Sequence, residues 1–197
     1  MNRITLDDQG RCAMTSPEFP LKTERLALRP YDEADTARLH AVYSRPDVAR
    51  YLLDEPWTAD VAIEKVAERL SKTDLDGETG TLALVITHEQ RVIGDVLLRF
   101  TDRERRVAEI GWVLDPAYGG KGYAVEAVRV VLTLAFDHYR VHRVAAQMDG
   151  RNSASAKLAA RAGMHHEAHL RQDWWSKGEW TDTVVFGMLA GDRATTG

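Results

Sequence analysis

Cysteine is nearly absent from this sequence, and so are long apolar segments. Cys12 is the single cysteine among 197 residues, which excludes an internal disulfide framework and a cysteine-based zinc site. This usage fits the reducing cytoplasm, where we expect the protein. No run approaches the ~20 apolar residues of a membrane-spanning helix. The opening segment MNRITLDDQG also lacks the apolar core of a secretory signal, so we expect no membrane association.

A surplus of basic residues is also missing. The chain has 30 acidic and 26 basic residues, for a formal net charge of −4. A general nucleic-acid-binding protein usually carries a basic surplus or stripe, so we expect no nucleic-acid partner. With 44% hydrophobic residues the chain can bury a sizeable core. Its length suits one domain.

The two ends of the chain differ from its middle. Residues 1–20 are polar and aperiodic and end in SPEFP, which predicts a flexible N-terminal arm. Both Met1 and Met14 are possible starts, and residues 1–13 belong to the native chain only in the first case. We predict one folded domain over residues 21–191 and a frayed tail over residues 192–197.

The spacing of apolar residues predicts an α/β fold. RLALRP, TLALVIT, RVIGDVLLRF and VAEIGWVL read as strands, and short links between the last three favour an antiparallel meander. Two stripes at helical spacing predict helices. They comprise Ile63, Val66, Ala67 and Leu70 in one helix, and Val128, Val131, Leu132 and Ala135 in another. The full order predicts a single mixed, mostly antiparallel sheet of about seven strands flanked by about four helices.

Three glycines in four positions precede one of these helices, in the segment DPAYGGKGYAVEA. Gly119, Gly120 and Gly122 let the backbone turn its amides inward and approach a phosphate closely. A helix N-terminus favours a bound anion, and Lys121 adds a cation. The dinucleotide pattern G-x-G-x-x-G and the nucleotide-triphosphate pattern G-x-x-x-x-G-K-[ST] both fit poorly. The segment is therefore either another kind of anion-binding loop or only a glycine-rich helix entry.

Three segments in this order resemble the GNAT N-acetyltransferases, especially their RimJ/RimL-like branch, which acetylates ribosomal-protein N-termini and various small amines. The segments are WVLDPAYGGKGYAVEA, DGRNSASAKLAARAGM and HLRQDWWSKGEWTDTVVFGML. With the RLALRP start, the resemblance covers residues 22–190. It implies the acyl-CoA N-acyltransferase fold, acetyl-CoA as co-substrate, no metal and an amine acceptor. Dimers are common among similar proteins, so a homodimer is a possible assembly.

The resemblance also implies which residues hold acetyl-CoA. Backbone groups of Trp112, Val113 and Leu114 would pair with the pantetheine arm as an added strand would. Asn152 would anchor that arm, and Ser155 would lie near the sulfur. Backbone amides of the loop would hold the pyrophosphate; they belong to Gly119, Gly120, Lys121, Gly122, Tyr123 and Ala124.

Two positions depart from the family's pattern. Gly119 stands where the family often has arginine or glutamine, which leaves Lys121 as the predicted cation. Many members place a tyrosine acid seven residues after the asparagine. Ala159 occupies that position here, so a tyrosine acid from it is excluded.

Acetyl transfer to an amine requires a neutral nitrogen, whereas free alkyl amines have a pKa of ~10 and α-amines one of ~8. A nearby carboxylate can take the proton, directly or through water. Glu109 is the first candidate base, because it shares a strand face with Gly111 and Val113. Asp173 is the second candidate. Either carboxylate can instead be an ordinary exposed acid. An amide near Val113 would stabilise the oxyanion.

Several other polar and aromatic residues can have either a functional or a structural role. Ser155 can donate a hydrogen bond to the departing thiolate, or it can cap a helix. The tryptophans of the last hairpin can wall the acceptor pocket or simply pack the hairpin; they are Trp174, Trp175 and Trp180. Strand alternation would put His165 and His169 on one face and His166 on the other. No zinc-enzyme pattern accompanies them, so we predict no metal site.

The sequence therefore predicts an acetyl-CoA-dependent N-acetyltransferase that moves the acetyl group directly to a primary amine in a ternary complex. No acyl-enzyme is expected, because the cysteine lies in the predicted arm. Two alternatives remain: a non-catalytic acyl-CoA-binding module on the same fold, and a nucleotide-binding enzyme. The acceptor pocket is expected between residues 33–72 and the last hairpin.

Overall fold

The computed structural model describes residues 5–6, 12–13 and 16–195. Most of the predicted N-terminal arm, including the alternative start at Met14, lies outside these residues. Its last part contacts the domain: the Ser16 hydroxyl donates a hydrogen bond to Asp74 at 3.1 Å, and Phe19 packs against the core. The boundary of the arm therefore remains a prediction from the sequence.

The C-terminal end is helical as far as it is described. Residues Ala190–Thr195 form a 3-10 helix, which begins inside the predicted domain and runs into the predicted tail. Arg193 Nη2 donates to Asp137 Oδ2 at 2.9 Å, which ties this helix to the end of a long helix of the core. The last two residues lie outside the described part.

A nine-stranded sheet forms the centre of the described part. Its strands are β3 Leu21–Lys22, β4 Ala27–Pro30, β5 Thr73–Asp74, β6 Thr81–His88, β7 Arg91–Asp102, β8 Val107–Leu114, β9 Arg143–Asp149, β10 His165–Ser176 and β11 Glu179–Leu189. Their order is β10-β11-β9-β8-β7-β6-β4-β3, and β5 also pairs with β6. β1 Thr5–Leu6 and β2 Cys12–Ala13 pair separately. The predicted mixed, mostly antiparallel sheet is confirmed, with β3 and β5 as two-residue additions.

Five α-helices lie on the sheet in the described residues. They are α1 Thr36–Tyr43, α2 Pro46–Ala49, α3 Ala59–Leu70, α4 Tyr123–Asp137 and α5 Ser153–Ala162. α1 and α3 pack on one face, and α4 and α5 on the other. α2 is a single turn, and Pro46 in its first turn favours a helix start. No helix in the described part has both the length and the apolar character needed to cross a bilayer.

The apolar stripe predicted for α3 is wrong in phase. Ile63 is 60% exposed, while Ala62 and Val66 are buried. The buried face continues through Arg69, whose side chain is 17% exposed, so a charged residue occupies part of the core stripe. A search for apolar residues at helical spacing cannot find a buried position that holds an arginine. The stripe of α4 is confirmed, since all four of its predicted members are buried.

Asp95 of β7 centres a buried polar cluster beneath α1 and α3. Its carboxylate accepts hydrogen bonds from Tyr31, from Tyr43 at 2.8 Å and from Arg69 at 2.9 Å. The Arg69 guanidinium lies 5.3 Å from the ring centre of Trp57, which stacks on Tyr43 at 3.9 Å. Burial and the charge of Asp95 raise the pKa of Tyr31 and Tyr43, so both hydroxyls stay protonated and donate.

The described sheet contains one parallel pairing, between β8 and β9. It covers fewer residue positions than any other pairing between two long strands of the sheet. β8 and β9 pair over Val107↔Arg143, Ala108↔Val144 and Glu109↔Ala145, and α4 makes the crossover between them. From Ile110 to Leu114 no described strand pairs with this edge of β8. A gap therefore opens toward the carboxyl ends of the two strands, where open α/β sheets commonly bind ligands.

We expect Asp95→Asn to lower the free energy of unfolding by about 3–5 kcal/mol, because it leaves Arg69 buried without its counter-charge. Urea unfolding at pH 7 measures the change. Asp47→Asn is the control, since Asp47 pairs with Arg45 on the surface, and it should have little effect. Equal losses from the two substitutions would contradict the assigned importance of the buried cluster.

Candidate active site

A cavity of about 440 Å³ occupies the gap beside β8. Its walls come from the end of β8, the segment around α2, the N-terminus of α4 and one side of α5. All the residues predicted to hold acetyl-CoA line it except Lys121; they are Trp112, Val113, Leu114, Gly119, Gly120, Gly122, Tyr123, Ala124, Asn152 and Ser155. The fold thus brings three separate sequence segments to one cavity, which we call the central cavity.

The free edge of β8 offers backbone groups to the central cavity at alternate residues. Asp115 N–H donates to Ile93 of β7 at 2.7 Å, and Val113 lies opposite Asp95 in the same register. Antiparallel alternation therefore directs the N–H of Val113 toward β7. The N–H groups of Trp112 and Leu114 point toward the gap. The oxyanion donor expected near Val113 is thus reassigned to one of these neighbours.

The glycine loop has the backbone shape that its sequence suggests. Gly120 and Gly122 have φ values of 74° and 83°, in the left-handed region that favours glycine. Gly122 is also the N-cap of α4, which has no side-chain cap. The first N–H groups of α4 are therefore available for an anion next to the central cavity.

Arg25 braces this loop from outside. Its Nη1 donates to the carbonyl of Lys121 at 3.0 Å, and its Nε donates to Glu126 in the first turn of α4 at 2.8 Å. Thr23 donates to the same carboxylate at 2.5 Å. Although burial opposes it, the hydrogen bonds from Thr23 and Arg25 lower the pKa of Glu126. The brace therefore depends on an ionised glutamate.

Lys121 itself lies on a neighbouring open cleft of about 600 Å³. Its ammonium is 5.8 Å from the ring centre of Tyr118, and the cleft also contains Arg25 and Arg129. Arg161 of α5 lines both this cleft and the central cavity. Arg161 is therefore a cation on the cavity that the sequence motifs did not indicate.

Lys157 is a second cation on the central cavity that the sequence motifs did not indicate. It lies four residues before Arg161 on α5, and both line the central cavity. Ala154 and Leu158 share this wall. The sequence did contain a signal for these two cations. A lysine and an arginine follow the asparagine–serine segment four residues apart, and residues with that spacing share a helix face.

A second cavity of about 320 Å³ adjoins the first. Tyr51 and Leu52 line both, so the two cavities meet along this segment. Glu109 lines the second cavity, and its carboxylate accepts a hydrogen bond from Arg99 at 2.9 Å. Asp173 is exposed and belongs to the lining of neither cavity. Of the two candidate bases, only Glu109 therefore lines a cavity that adjoins the central one.

Asn152 and Ser155 adopt the helix-capping arrangement considered as an alternative. Asn152 Oδ1 accepts a hydrogen bond from the Ser155 N–H at 3.1 Å, at the start of α5. Both residues also line the central cavity. The cap therefore fixes both residues at the wall of the cavity.

The tryptophans of the last hairpin divide between two environments. Trp174 lines the second cavity. Trp175 and Trp180 pack edge to face with ring centres 5.4 Å apart, and they are 58% and 57% exposed. Trp174 is therefore the candidate for a wall of the acceptor pocket, whereas Trp175 and Trp180 pack against each other.

The predicted faces of the three histidines on β10 are wrong. A bulge at Glu167 shifts the register, so that His166 pairs with Phe186 and His169 with Val184. His166 and His169 therefore share a face. The Nε2 atom of His169 lies 2.7 Å from Oδ2 of Asp182, which already engages this ring. Within the described residues, no group of three or more histidine, cysteine or acidic side chains could hold a metal ion.

A family model described as an acetyltransferase (GNAT) domain matches residues 25–165. The chain belongs to the GNAT acetyltransferase family. "Probable N-acetyltransferase YjcK" of Bacillus subtilis is 31% identical over 140 residues, covering 71% of this chain and 77% of the relative. "Uncharacterized N-acetyltransferase p20" of Bacillus licheniformis is 29% identical over 174 residues, covering 88% and 98%. As a member of this family, the protein is an N-acetyltransferase.

Solved structures confirm the acyl-CoA N-acyltransferase fold. The crystal structure of an acetyltransferase (GNAT family) from Bacillus anthracis is 25% identical, with a TM-score of 0.78 over 86% of this chain and 98% of that one. Spermidine N-acetyltransferase from Vibrio cholerae, in complex with CoA and spermine, is 20% identical, with a TM-score of 0.74 over 88% of this chain and 100% of that one. At that identity the second likeness concerns the fold alone.

We expect Gly122→Val in this acetyltransferase to weaken CoA binding by at least tenfold. A β-branched residue is strained at a φ of 83°, which would distort the loop amides, and its Cβ would lie 3.5 Å from the Arg25 guanidinium that braces the loop. Titration calorimetry with CoA measures the change. Gly178→Val is the matched control, because Gly178 has a φ of 81° in the last hairpin, away from the loop. Unchanged affinity in the Gly122 variant would contradict the loop assignment.

Glu126→Gln should lower the free energy of unfolding by about 1–2 kcal/mol at pH 7, because it removes the charged partner of Arg25. The pKa of Glu126 in the folded chain is depressed, so its contribution is present above the ordinary value of ~4.3 and is lost as the pH falls through the folded value. Denaturant unfolding of both proteins at pH 7, 5 and 3 tests this. The difference should shrink toward pH 3; a constant difference would contradict the electrostatic origin.

Proposed function

We propose that this enzyme transfers an acetyl group from acetyl-CoA to a primary amine by direct attack in a ternary complex. The observation that carries the proposal is the meeting of two cavities at Tyr51 and Leu52. The central cavity has the features of a cofactor site. The second cavity has a carboxylate, Glu109, on its wall. Both substrates can therefore be bound at once, with their reacting groups near the junction.

The central cavity suits CoA in its backbone and its charge. The free edge of β8 offers Trp112 and Leu114 to the amides of a pantetheine arm. The left-handed glycines and the uncapped α4 offer N–H groups to a pyrophosphate. Lys157 and Arg161 on the wall supply positive charge for the phosphates.

Acetyl-CoA would supply an activated thioester, and the residues of the chain supply proton transfer and orientation. Glu109 takes a proton from the amine, directly or through water. Arg99 positions the Glu109 carboxylate through their 2.9 Å hydrogen bond. An N–H from Trp112 or Leu114 donates to the acetyl oxygen as negative charge develops there. The Ser155 hydroxyl donates to the departing sulfur.

The acceptor is a protein N-terminal α-amine, as in the RimJ/RimL-like branch, or the amine of a small molecule. We further propose that the enzyme works in the cytoplasm without a metal, and that it can form a homodimer. A non-catalytic acyl-CoA-binding module is the alternative. It would keep the glycine loop but would not need a carboxylate on the wall of an adjoining cavity, so the position of Glu109 favours the enzyme.

Glu109→Gln should lower kcat by at least tenfold and leave the Kd for CoA unchanged, because the amide cannot accept the proton. Release of free CoA thiol with amine acceptors gives kcat, and calorimetry gives Kd. Asp173→Asn is the matched control: it makes the same chemical change at an exposed residue and should leave both quantities near their original values. If the Asp173 variant loses turnover and the Glu109 variant does not, the assignment of the base is wrong.

A further inference from the structure

We infer that the second cavity binds an amine that also carries an anionic group, a carboxylate or a phosphate, rather than a polyamine. This inference rests on the proposed function, which makes the second cavity the acceptor site. It follows from the pairing of the charged side chains that line that cavity.

Each carboxylate of the second cavity already has an arginine partner. Glu109 is paired with Arg99 at 2.9 Å. Asp149 and Glu179 are both paired with Arg151, at 2.7 and 2.8 Å. All five residues line the cavity. The acids are therefore largely neutralised, and a polycation would have to compete with two arginines for them.

Two cations on the same wall have no carboxylate partner among the described residues. The Arg50 guanidinium lies over the ring of Tyr51, 5.2 Å from its centre. Lys177 Nζ donates to the carbonyl of Ala49 at 2.6 Å. Arg50 and Lys177 therefore lie beside the same short stretch of backbone, residues 49–51, at the end of the cavity that adjoins the junction.

The lining contains four basic and three acidic side chains, and the two unpaired charges are both positive. An anionic group bound between Arg50 and Lys177 would complete this pairing through charge-assisted hydrogen bonds. The amine of the same molecule would then face Glu109. A polyamine would place a second positive charge against these cations, which is unfavourable. The cavity therefore selects for one positive and one negative group in the acceptor.

A matched panel of acceptors tests the inference. Omega-amino acids of two to six carbons are each compared with the alkylamine that lacks only the carboxylate, and phosphoethanolamine is compared with ethanolamine. Spermidine represents the polyamines. We expect kcat/KM from CoA-thiol release to be at least tenfold higher for the anionic member of the best pair than for its neutral partner or spermidine. The two kinds of pair distinguish carboxylate from phosphate.

Two variants test the residues. Arg50→Gln and Lys177→Gln should each reduce the preference for the anionic acceptor by about five- to tenfold, mostly through KM. The kcat/KM of neutral alkylamines should fall less than that of the anionic acceptors, because they have no anionic group that these cations bind. Arg91→Gln is the matched control, because Arg91 is an exposed arginine at the start of β7 that lines neither cavity. It should leave the preference unchanged.

The outcomes separate this inference from the proposed function. Faster turnover of spermidine or of the neutral amines than of the anionic amines would overturn the inference and leave the acetyltransferase assignment in place. A preference that survives both substitutions would also overturn it. No thiol release with any amine, despite CoA binding, would instead contradict the proposed function.

Discussion

The structure depends on the early parting of two parallel strands. β8 and β9 pair over only three residue positions and then diverge, so the remaining edge of β8 keeps unpaired backbone groups. Buried backbone N–H and C=O groups require partners, and a ligand with amides of its own can supply them. The crossover helix α4 begins directly at this gap, so its free N–H groups face the same cavity. One feature of the sheet thereby produces both an amide-binding edge and an anion-binding helix start.

The acceptor side depends on a different constraint, the buried Asp95–Arg69 pair. Tyr43 and Trp57, whose rings both contact Arg69, also hold together the two ends of the segment between them. Their rings stack, and the backbone N–H of Trp57 donates to the backbone carbonyl of Tyr43 at 3.2 Å. That segment carries α2, which lines the central cavity, and Tyr51 and Leu52, which line both cavities. Lys177 contacts the end of α2 from the last hairpin. The polar cluster therefore supports the wall that the two substrates would share.

Much of the fold could be predicted because local patterns and packing agree. The meander β6–β8 and the buried stripe of α4 follow from periods of two and 3.6 residues. The phase of α3 could not be predicted, because Arg69 occupies its buried face only by virtue of Asp95, which is 26 residues away in the sequence. The bulge at Glu167 reversed the faces of the histidines, since no local residue pattern signals it. The glycine loop was predictable from its backbone requirements, whereas Arg50 and Lys177 meet only in the folded chain.

Amide hydrogen exchange with and without CoA tests the central claim most directly. The N–H groups of Trp112 and Leu114 face the gap, whereas that of Val113 lies in the ladder with β7. CoA should slow the exchange of Trp112 or Leu114, and of the first amides of α4, while the Val113 amide should change little. If CoA binds and the amides of Trp112, Leu114 and Tyr123 exchange at their original rates, the parted strands do not form its site.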